Sequence, residues 1–210
     1  DAVNQAAEAL KAGLAKGPEQ VAFLLSPQMT NEELYAFQWL AGQLGVTQVE
    51  VGDDLKAMGT ADDYLIQADK NPNSRGAVDL GLAPRAGVLG GQAVIEAAKA
   101  GKLAVLLLVG HDLGADAVAV AAKATVIGIH SHAHVGALAS TLLLPKAVHA
   151  EQDGSFTNVK GRVQRVRKAL EPLAESLPGY TLAFHLAESL GHKAPASSPT
   201  EIFSLLAAKV

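Results

Sequence analysis

The sequence predicts an α/β fold with layers built on a parallel sheet, followed by a helical C-terminal part. Short apolar runs alternate with helical segments of about ten residues, which is the pattern of βαβ units. The runs contain almost no polar residues, as expected for strands covered by helices on both faces. Hydrophobic residues make up 49% of the 210 residues and charged residues 18%, so the chain can bury one large core or two small ones.

The N-terminal quarter is predicted to form two helices and two strands. Apolar residues recur every three or four positions over residues 1–16, a helical spacing that ends at Gly17 and Pro18. A second helix begins at Thr30, because Glu33 follows three residues later and completes a capping box. The apolar segments "QVAFLLSP" and "TQVEVG" are predicted to be the two strands.

The middle of the chain contains an irregular segment and then three further strands. Residues 53–84 are polar and rich in turn-forming residues, which predicts a long excursion with short helical pieces. The segment "GVLGGQAVIEAAKAGK" predicts a helix that begins after glycines and ends at Gly101. The segments "LAVLLLVG", "TVIGIHS" and "STLLLP" are predicted strands, separated by short helices in "GADAVAVAAKA" and "HVGALA".

The C-terminal residues show a different, helical pattern. After an irregular loop in "KAVHAEQDGSFTNVKGR", we expect helices in "VQRVRKALEPLAESLPG", "YTLAFHLAESLGH" and "PTEIFSLLAAKV". In the first of these, Val163, Val166 and Leu170 are spaced as a core-facing stripe, with basic residues on the solvated face. We therefore predict an α/β domain over residues 1–165 and a helical extension over residues 166–210.

Composition excludes several classes of function. The chain has no cysteine, so it can form no disulfide, thiolate zinc site or cysteine-bound iron–sulfur cluster. Its formal net charge of -4 provides no global attraction to nucleic acid or to an anionic membrane. The apolar runs are too short to cross a bilayer, and the N-terminus does not resemble a signal peptide. Because the chain begins at Asp1 without methionine, we expect it to be a piece of a longer protein.

Three alternating histidines, His130, His132 and His134, are the candidate metal ligands. They follow a predicted strand, and open parallel sheets bind ligands in the loops after their strands. An extended chain would direct all three imidazoles to one face. However, "HVGALAS" resembles the start of a helix, so the strand is expected to end near His130 and the alternation to be lost. We therefore predict a polar loop facing a cleft and no metal site.

Other polar patterns receive structural interpretations. The glycines of "GVLGG" would suit a phosphate-binding helix N-terminus, but the segment is not GxGxxG and follows no clear strand, so an ordinary turn is expected. Asp112 and Asp116 flank a strand end without a nucleophile, base or metal-ligand set, so we expect them to cap local backbone groups. No Gly-x-Ser-x-Gly motif supports hydrolase chemistry, and no catalytic residue is predicted.

One longer segment carries a family resemblance. Residues 142–164 have the sequence "LLLPKAVHAEQDGSFTNVKGRVQ". This resembles the signature of the molybdopterin oxidoreductase superfamily, in which a strand ending in proline leads to a Glu and then to Gly-Thr-Phe-x-Asn-x-Glu-Gly-Arg-x-Gln. The segments "SPQMTNEELYAFQWLA", "KNPNSRGAVDLGL" and "AGKLAVLLLVGHDL" resemble other parts of the same family in the same order.

Within this superfamily the chain is most similar to the large iron–sulfur subunit of bacterial NADH:quinone oxidoreductase, complex I. That resemblance implies a structural domain without a cofactor of its own, iron–sulfur clusters elsewhere in the full subunit, and no activity for the isolated chain. It also implies contacts with other subunits of a respiratory complex, in a peripheral arm on the cytoplasmic side of the inner membrane. Binding of nucleic acid and direct membrane insertion are not expected.

The resemblance leaves a second interpretation open, in which the chain is part of a molybdopterin-dependent enzyme such as a formate dehydrogenase. Asn158, Gly161 and Arg162 would then help to hold the pterin cofactor. Lys160 replaces the Glu of the family pattern, and this reversed charge beside the loop favours the cofactor-free interpretation. Gly154 and Gly161 are expected to adopt backbone conformations that other residues rarely adopt.

Overall fold

Seven strands and eight α-helices are present in the described part of the chain, residues 2–52, 59–83 and 90–209 of a computed structural model. The strands are β1 (Val21–Leu25), β2 (Gln48–Val51), β3 (Val105–Val109), β4 (Thr125–His130), β5 (Leu142–Pro145), β6 (Gly154–Thr157) and β7 (Val163–Val166). The helices are α1 (Ala2–Leu14), α2 (Asn31–Gln43), α3 (Ser74–Asp79), α4 (Gln92–Lys99), α5 (Ala117–Ala121), α6 (Val135–Leu138), α7 (Gly179–Ser189) and α8 (Pro199–Ala207).

The first five strands form one parallel sheet in the order β2-β1-β3-β4-β5. In its centre, Phe23 of β1 lies beside Leu107 of β3, and Leu107 lies beside Ile127 of β4. Every residue of β1 and β3 is buried, because helices cover both faces of the sheet. The order of strand addition reverses between β1 and β3, which is where open parallel sheets bind ligands. The predicted α/β fold with a parallel sheet is confirmed.

Apolar packing covers both faces of this sheet. On one face, α1, α2, α7 and α8 enclose a core that includes Phe23, Phe37 and Leu186. On the other face, α4 and α5 cover a smaller core around Leu106 and Leu108. Each large apolar side chain buried in this way stabilises the fold by about 1.5–3 kcal/mol. The C-terminal helices thus share a core with the sheet. No helix in the described part of the chain is long and apolar enough to cross a membrane.

Helix α2 begins with the predicted capping box. The Glu33 backbone N–H donates to Thr30 Oγ1 at 3.2 Å, and the Thr30 N–H donates to Glu33 Oε2 at 2.8 Å. The polar first turn of the helix is buried, including Asn31 and Glu32. Burial of such a polar sequence requires hydrogen-bond partners from elsewhere in the fold.

The structure corrects the sequence prediction for residues 163–179. These residues do not begin with a helix, because β7 pairs antiparallel with β6 in a two-stranded hairpin. Val163 is 48% exposed and Leu170 is 62% exposed, so the predicted core stripe is wrong. Pairing with β6 satisfies backbone groups that a helix would have satisfied internally, and β-branched valine favours the extended conformation. The two helices predicted beyond this segment are confirmed as α7 and α8.

Strand β7 also crosses the predicted domain boundary at residue 165. That division of the chain stays a prediction. The polar excursion is irregular over residues 59–73, and α3 follows it as a short helical piece. Residues 53–58 and 84–89 lie outside the described residues, so the turn predicted in "GVLGG" is described only at its end. There the Gly91 N–H donates to the Glu50 carboxylate, so a side chain of this protein occupies the anion position before α4.

Candidate functional site

A polar crevice lies at the carboxyl ends of the parallel strands. Its volume is about 250 Å³. It lies beside the ends of β1 and β3, where the order of the sheet reverses. The ends of strands and the residues directly after them contribute Ser26, Gly110, Ser131 and Lys146. The other lining residues are Gln28, Met29, His132, Val148, His149 and Gln152.

Gly110 sets the separation between β1 and β3 at this crevice. Its φ is +67°, in the left-handed region that favours glycine. A Cβ atom at this position would lie 3.3 Å from Ser26 Cβ. Ser26 Oγ in turn accepts a hydrogen bond from the Gln28 N–H at 3.1 Å, which turns the chain away from the strand. Any larger residue at Gly110 would therefore strain the backbone and crowd the crevice.

Gln152 contributes an unsatisfied acceptor to the crevice. The side chain is buried, it hydrogen-bonds with Glu33, and its Oε1 has no hydrogen-bond partner among the described residues. A buried polar atom without a partner costs about 1–3 kcal/mol, so a ligand that donates a hydrogen bond here would recover that free energy. The described lining groups include hydroxyls, imidazoles and an ammonium, but no carboxylate and no thiolate. This donor set suits an anionic or heterocyclic ligand better than a metal ion.

Lys146 connects the crevice to helix α2. Its Nζ donates to Glu33 Oε1 at 2.8 Å, and the two side chains are only 9% and 1% exposed. Burial would raise the pKa of Glu33, but the Lys146 ammonium and hydrogen bonds from Thr30 and Gln152 hold that pKa below its usual value. Glu33 is therefore ionised and compensates the buried positive charge. The pair fixes the end of β5 against the start of α2.

A buried polar network joins three of the segments that carry the family resemblance. Asn31 Nδ2 donates to Ser155 Oγ and to Thr157 Oγ1, both at 3.1 Å. The Ser155 N–H donates to Glu32 Oε2 at 2.7 Å, and the Thr157 N–H donates to Asn73 Oδ1 at 2.8 Å. The segments "TNEE", "NPNSRG" and "DGSFTN" therefore meet at the first turn of α2. These contacts supply the partners that this buried polar turn requires.

Gly154 allows strand β6 to approach α2 closely. A Cβ atom here would lie 2.8 Å from Thr30 Cγ2 and 3.1 Å from Glu32 Oε2. Gly154 is not among the residues with positive φ, so close approach, and not the expected unusual backbone conformation, explains this glycine. Burial raises the pKa of Glu32, and the hydrogen bonds from Ser155 only partly offset that rise. The carboxylate therefore contacts the strand directly, through hydrogen bonds from the Ser155 N–H and hydroxyl.

The three histidines do not converge on one point. Strand β4 ends at His130, as predicted, and α6 begins directly after His134. His132 lines the crevice, and its Nδ1 lies 2.9 Å from Ser131 Oγ. His134 turns back, so that its Nε2 lies 3.1 Å from His130 Nδ1 and its Nδ1 lies 3.1 Å from Asp112 Oδ1. The described residues contain no group of three or more His, Cys, Asp or Glu side chains that could hold a metal ion.

His130 is the buried end of this chain of side chains. Burial, together with the neighbouring His134, lowers the pKa of His130 to about 4, so the ring is neutral near pH 7. The Ala137 N–H approaches His134 Nδ1 at 3.3 Å, and the Asp112 carboxylate lies close to the same nitrogen. The His134 side chain caps α6 by accepting from the Ala137 N–H, and its Nε2 shares a hydrogen bond with His130 Nδ1.

The two aspartates expected to act as caps behave differently. Asp112 Oδ1 accepts a hydrogen bond from the Gly114 N–H at 2.9 Å, which confirms a local backbone role. Asp116 precedes α5 but makes no side-chain cap there, so that expectation is wrong. Its carboxylate lies 2.9 Å from Lys99 Nζ instead. Helix α4 packs beside α5 and brings the Lys99 ammonium close to Asp116. A carboxylate binds a charged partner more strongly than it binds a neutral backbone N–H.

The predicted cofactor-binding residues Asn158, Gly161 and Arg162 form the turn between β6 and β7. Asn158 Oδ1 accepts hydrogen bonds from the N–H groups of Lys160 and Arg162, both at 3.0 Å. Gly161 has a φ of +78°, which confirms its expected backbone conformation. None of these residues is among the described residues that line the crevice. Their role in cofactor binding stays a prediction.

Sequence reasoning indicated where the crevice would lie but missed much of its lining. Residues from the loops after the apolar strands line the crevice, because the parallel topology brings these loops to one edge of the sheet. Lys146 and Glu33 lie 113 positions apart, so no local spacing could indicate their contact. Gln152 was part of a recognisable motif, yet its burial depends on the position of α2.

Comparisons with known proteins agree with this geometry. The family described as molybdopterin oxidoreductase matches residues 69–189, which is more than half of the chain. The F420-dependent formate dehydrogenase 2 subunit alpha of Methanococcus maripaludis is 43% identical over 68 residues, which cover 31% of this chain and 10% of that protein. The F420-dependent formate dehydrogenase subunit alpha of Methanocaldococcus jannaschii is 47% identical over 51 residues, covering 24% of this chain and 8% of that protein.

A bacterial relative is also named as a formate dehydrogenase. A putative formate dehydrogenase of Staphylococcus haemolyticus is 36% identical over 66 residues, which cover 31% of this chain and 7% of that protein. The matched segments thus span a tenth or less of the length of these relatives. The family match extends from the irregular segment before α3, through strands β3 to β7, to the end of α7. This chain belongs to the molybdopterin oxidoreductase family.

Proposed function

We propose that this chain is part of the catalytic subunit of a molybdopterin-dependent oxidoreductase of the formate dehydrogenase type. The observation that carries the proposal is the polar crevice at the carboxyl ends of β1 and β3. This is the position at which parallel α/β sheets bind cofactors. The relatives are named as formate dehydrogenases, and this supports formate dehydrogenation as the proposed reaction.

The residues of the crevice suit a pterin cofactor with phosphate groups. Gln152 Oε1 would accept a hydrogen bond from an N–H of the heterocycle, since it has no partner among the described residues. Lys146 would add a weak attraction, because Glu33 already compensates most of its charge. When bound, molybdopterin carries a molybdenum ion that exchanges electrons with the substrate. The available hydrogen-bonding side chains are Ser26, Gln28, Ser131, His132 and His149.

The relatives favour this proposal over the cofactor-free domain of complex I that the sequence resemblance led us to expect. The relatives described above are all named as formate dehydrogenases. The chain has no cysteine, so under this proposal a cysteine ligand to molybdenum would have to come from outside its 210 residues. Contact with other subunits and a location on the cytoplasmic side of the inner membrane stay predictions.

The test is to purify the full-length protein that contains this chain and to measure molybdenum and oxidised-pterin fluorescence. We expect stoichiometric pterin and formate-dependent reduction of an artificial electron acceptor. The double substitution His132→Ala and His149→Ala should lower the pterin content severalfold without changing the thermal unfolding midpoint. His185→Ala, an exposed residue of α7, is the matched control and should retain the pterin.

Two results would contradict the proposal. A full-length protein without molybdenum or pterin, but with several iron–sulfur clusters and NADH-dependent quinone reduction, would support the complex I interpretation. If Asn158→Ala and Arg162→Ala reduce the pterin content while the crevice variants do not, the cofactor lies at the hairpin turn and not in the crevice.

A further inference from the structure

The β6–β7 turn and the residues after it concentrate positive charge in an otherwise acidic chain. Residues 160–168 contain five of the 17 Lys and Arg residues and none of the 21 Asp and Glu residues. Without these five charges, the formal net charge would be -9 and not -4. We call this segment the basic hairpin. Its cations, all exposed, are Lys160, Arg162, Arg165, Arg167 and Lys168.

Little of this charge is neutralised within the described structure. Arg165 lies 4.0 Å from the Asp153 carboxylate, and Lys168 lies 2.7 Å from the Glu171 carboxylate. The other three cations of the basic hairpin form no ion pair with any described residue. Exposed ion pairs contribute only about 0–1 kcal/mol, so even the two paired cations can bind another carboxylate at little cost.

The backbone that carries these cations is fixed to the rest of the fold. The Gly161 N–H donates to the Asn158 carbonyl at 2.8 Å, which closes the turn. Strand β6, the partner of β7, is held to the buried start of α2 through Ser155 and Thr157. A partner that binds here therefore does not have to order the backbone first, which reduces the cost of association.

An apolar recess lies beside the cations. A cavity of about 330 Å³ is bounded by Val163 and Arg165 of β7 and by Pro199 and Phe203 of α8. A second cavity of about 240 Å³ shares Val163 and Phe203 with the first. The recess is large enough for one apolar side chain.

Three carboxylates of the described residues also border the two cavities. Glu32 is buried and hydrogen-bonded to the strand, Asp153 lies 4.0 Å from Arg165, and Asp79 is paired with Arg75. Each carboxylate therefore has a partner that reduces its repulsion of an acidic ligand.

We propose that the basic hairpin and this recess form a docking surface for an acidic polypeptide that places one apolar side chain between β7 and α8. Charge complementarity would guide the partner to the hairpin, and the apolar side chain would supply most of the affinity. A concave recess favours a protein partner over a bilayer surface, which has no projecting group to fill it. The surface lies outside the cofactor crevice, with which it shares no described lining residue, and it includes Gly161 and Arg162 of the β6–β7 turn.

The test uses fluorescence anisotropy with a labelled peptide of several Glu residues around one Phe. Binding should weaken when the salt concentration rises from about 0.05 M to about 0.3 M. The double substitution Arg165→Glu and Arg167→Glu should weaken binding at least about tenfold. Lys16→Glu with Lys102→Glu changes the net charge equally at exposed positions elsewhere, and should leave binding within about twofold.

Three further measurements decide the outcome. A peptide with Ala in place of Phe should bind more weakly, and unchanged circular dichroism should show that the variants fold. Lys160→Glu with Arg167→Glu is the second variant if the first does not fold. The proposal is overturned if the Glu/Phe peptide shows no binding at about 1 mM, or if the control pair weakens binding as much as the hairpin pair. Binding to phosphatidylserine vesicles or duplex DNA without peptide binding would also overturn it.

Discussion

The Lys146 ammonium lies 2.8 Å from the Glu33 carboxylate, and both side chains are buried. This contact joins the residue after β5 to the first turn of α2, and Glu33 also completes the cap of that helix. The Glu33 carboxylate therefore caps the N-terminus of α2, compensates the positive charge of Lys146 and lies next to residues that line the crevice. Removing either partner would leave the other charge buried without compensation.

Glu33→Gln is expected to destabilise the protein by about 3–5 kcal/mol, because it leaves the Lys146 ammonium buried without a compensating charge. Urea unfolding at pH 7 measures this difference. The double variant Glu33→Gln with Lys146→Met removes both charges, and we expect it to be more stable than Glu33→Gln alone. If the double variant is less stable than the single variant, the charge of Lys146 is not the cause of the destabilisation.

Asn31→Ala removes two hydrogen bonds to the hairpin and leaves the hydroxyls of Ser155 and Thr157 with fewer partners. We expect a loss of about 1–3 kcal/mol and faster amide hydrogen exchange in β6. Gln5→Ala, at an exposed position of α1, is the control and should leave both measurements unchanged. Unchanged exchange in β6 would mean that other contacts hold the hairpin.

Gly161→Val is expected to destabilise the protein by about 1–3 kcal/mol, because a β-branched residue is strained at a φ of +78°. Space is not the limiting factor, since the nearest atoms to a new Cβ are those of the Arg75 guanidinium at 3.6 Å. Gly42→Ala in α2, where a Cβ meets no atom within 4 Å, should be neutral or slightly stabilising. An unchanged unfolding midpoint for Gly161→Val would disprove the role of the backbone conformation.

His130 should make the protein less stable as the pH falls. Its pKa is about 4 in the folded state and near 6.5 in the unfolded chain, so the unfolded state binds the proton more tightly. The contribution of His130 to the free energy of unfolding should be constant well above pH 6.5 and fall by about 3 kcal/mol in total as the pH decreases towards 4.

Urea unfolding at several pH values checks this expectation. His130→Asn cannot titrate in this range and should show a smaller decrease in stability between the two pKa values. His185→Asn, at an exposed position, should retain the decrease of the unsubstituted chain. Identical pH profiles for His130→Asn and the unsubstituted chain would show that His130 is not buried as a neutral ring.

We predict that the chain binds no metal ion stoichiometrically, because the described histidines do not converge and the sequence has no cysteine. Elemental analysis after dialysis should give a metal-to-protein ratio well below one. A ratio near one that is lost in the variant His130→Ala with His132→Ala would contradict this prediction.

The sequence by itself determined the succession of strands and helices along the chain as far as β5, the capping box at Thr30 and the end of β4 at His130. These features depend on contacts within a few residues, such as apolar periodicity, a side chain reaching its own helix, or a change from extended to helical spacing. The family resemblance of residues 142–164 could also be recognised from the sequence alone, because a motif is a local pattern.

Only the tertiary structure decided which polar groups are buried and which apolar groups are exposed. Residues 163–166 have helical spacing, yet pairing with β6 makes them a strand and leaves Val163 half exposed. Glu33 and Lys146 look like surface charges until the fold brings them together. The physical reason is that burial depends on segments more than 80 positions away, such as Asn31 with Ser155. The pairing of β7 with the nearby β6 likewise depends on the contacts that hold β6 against α2, and local spacing does not indicate them.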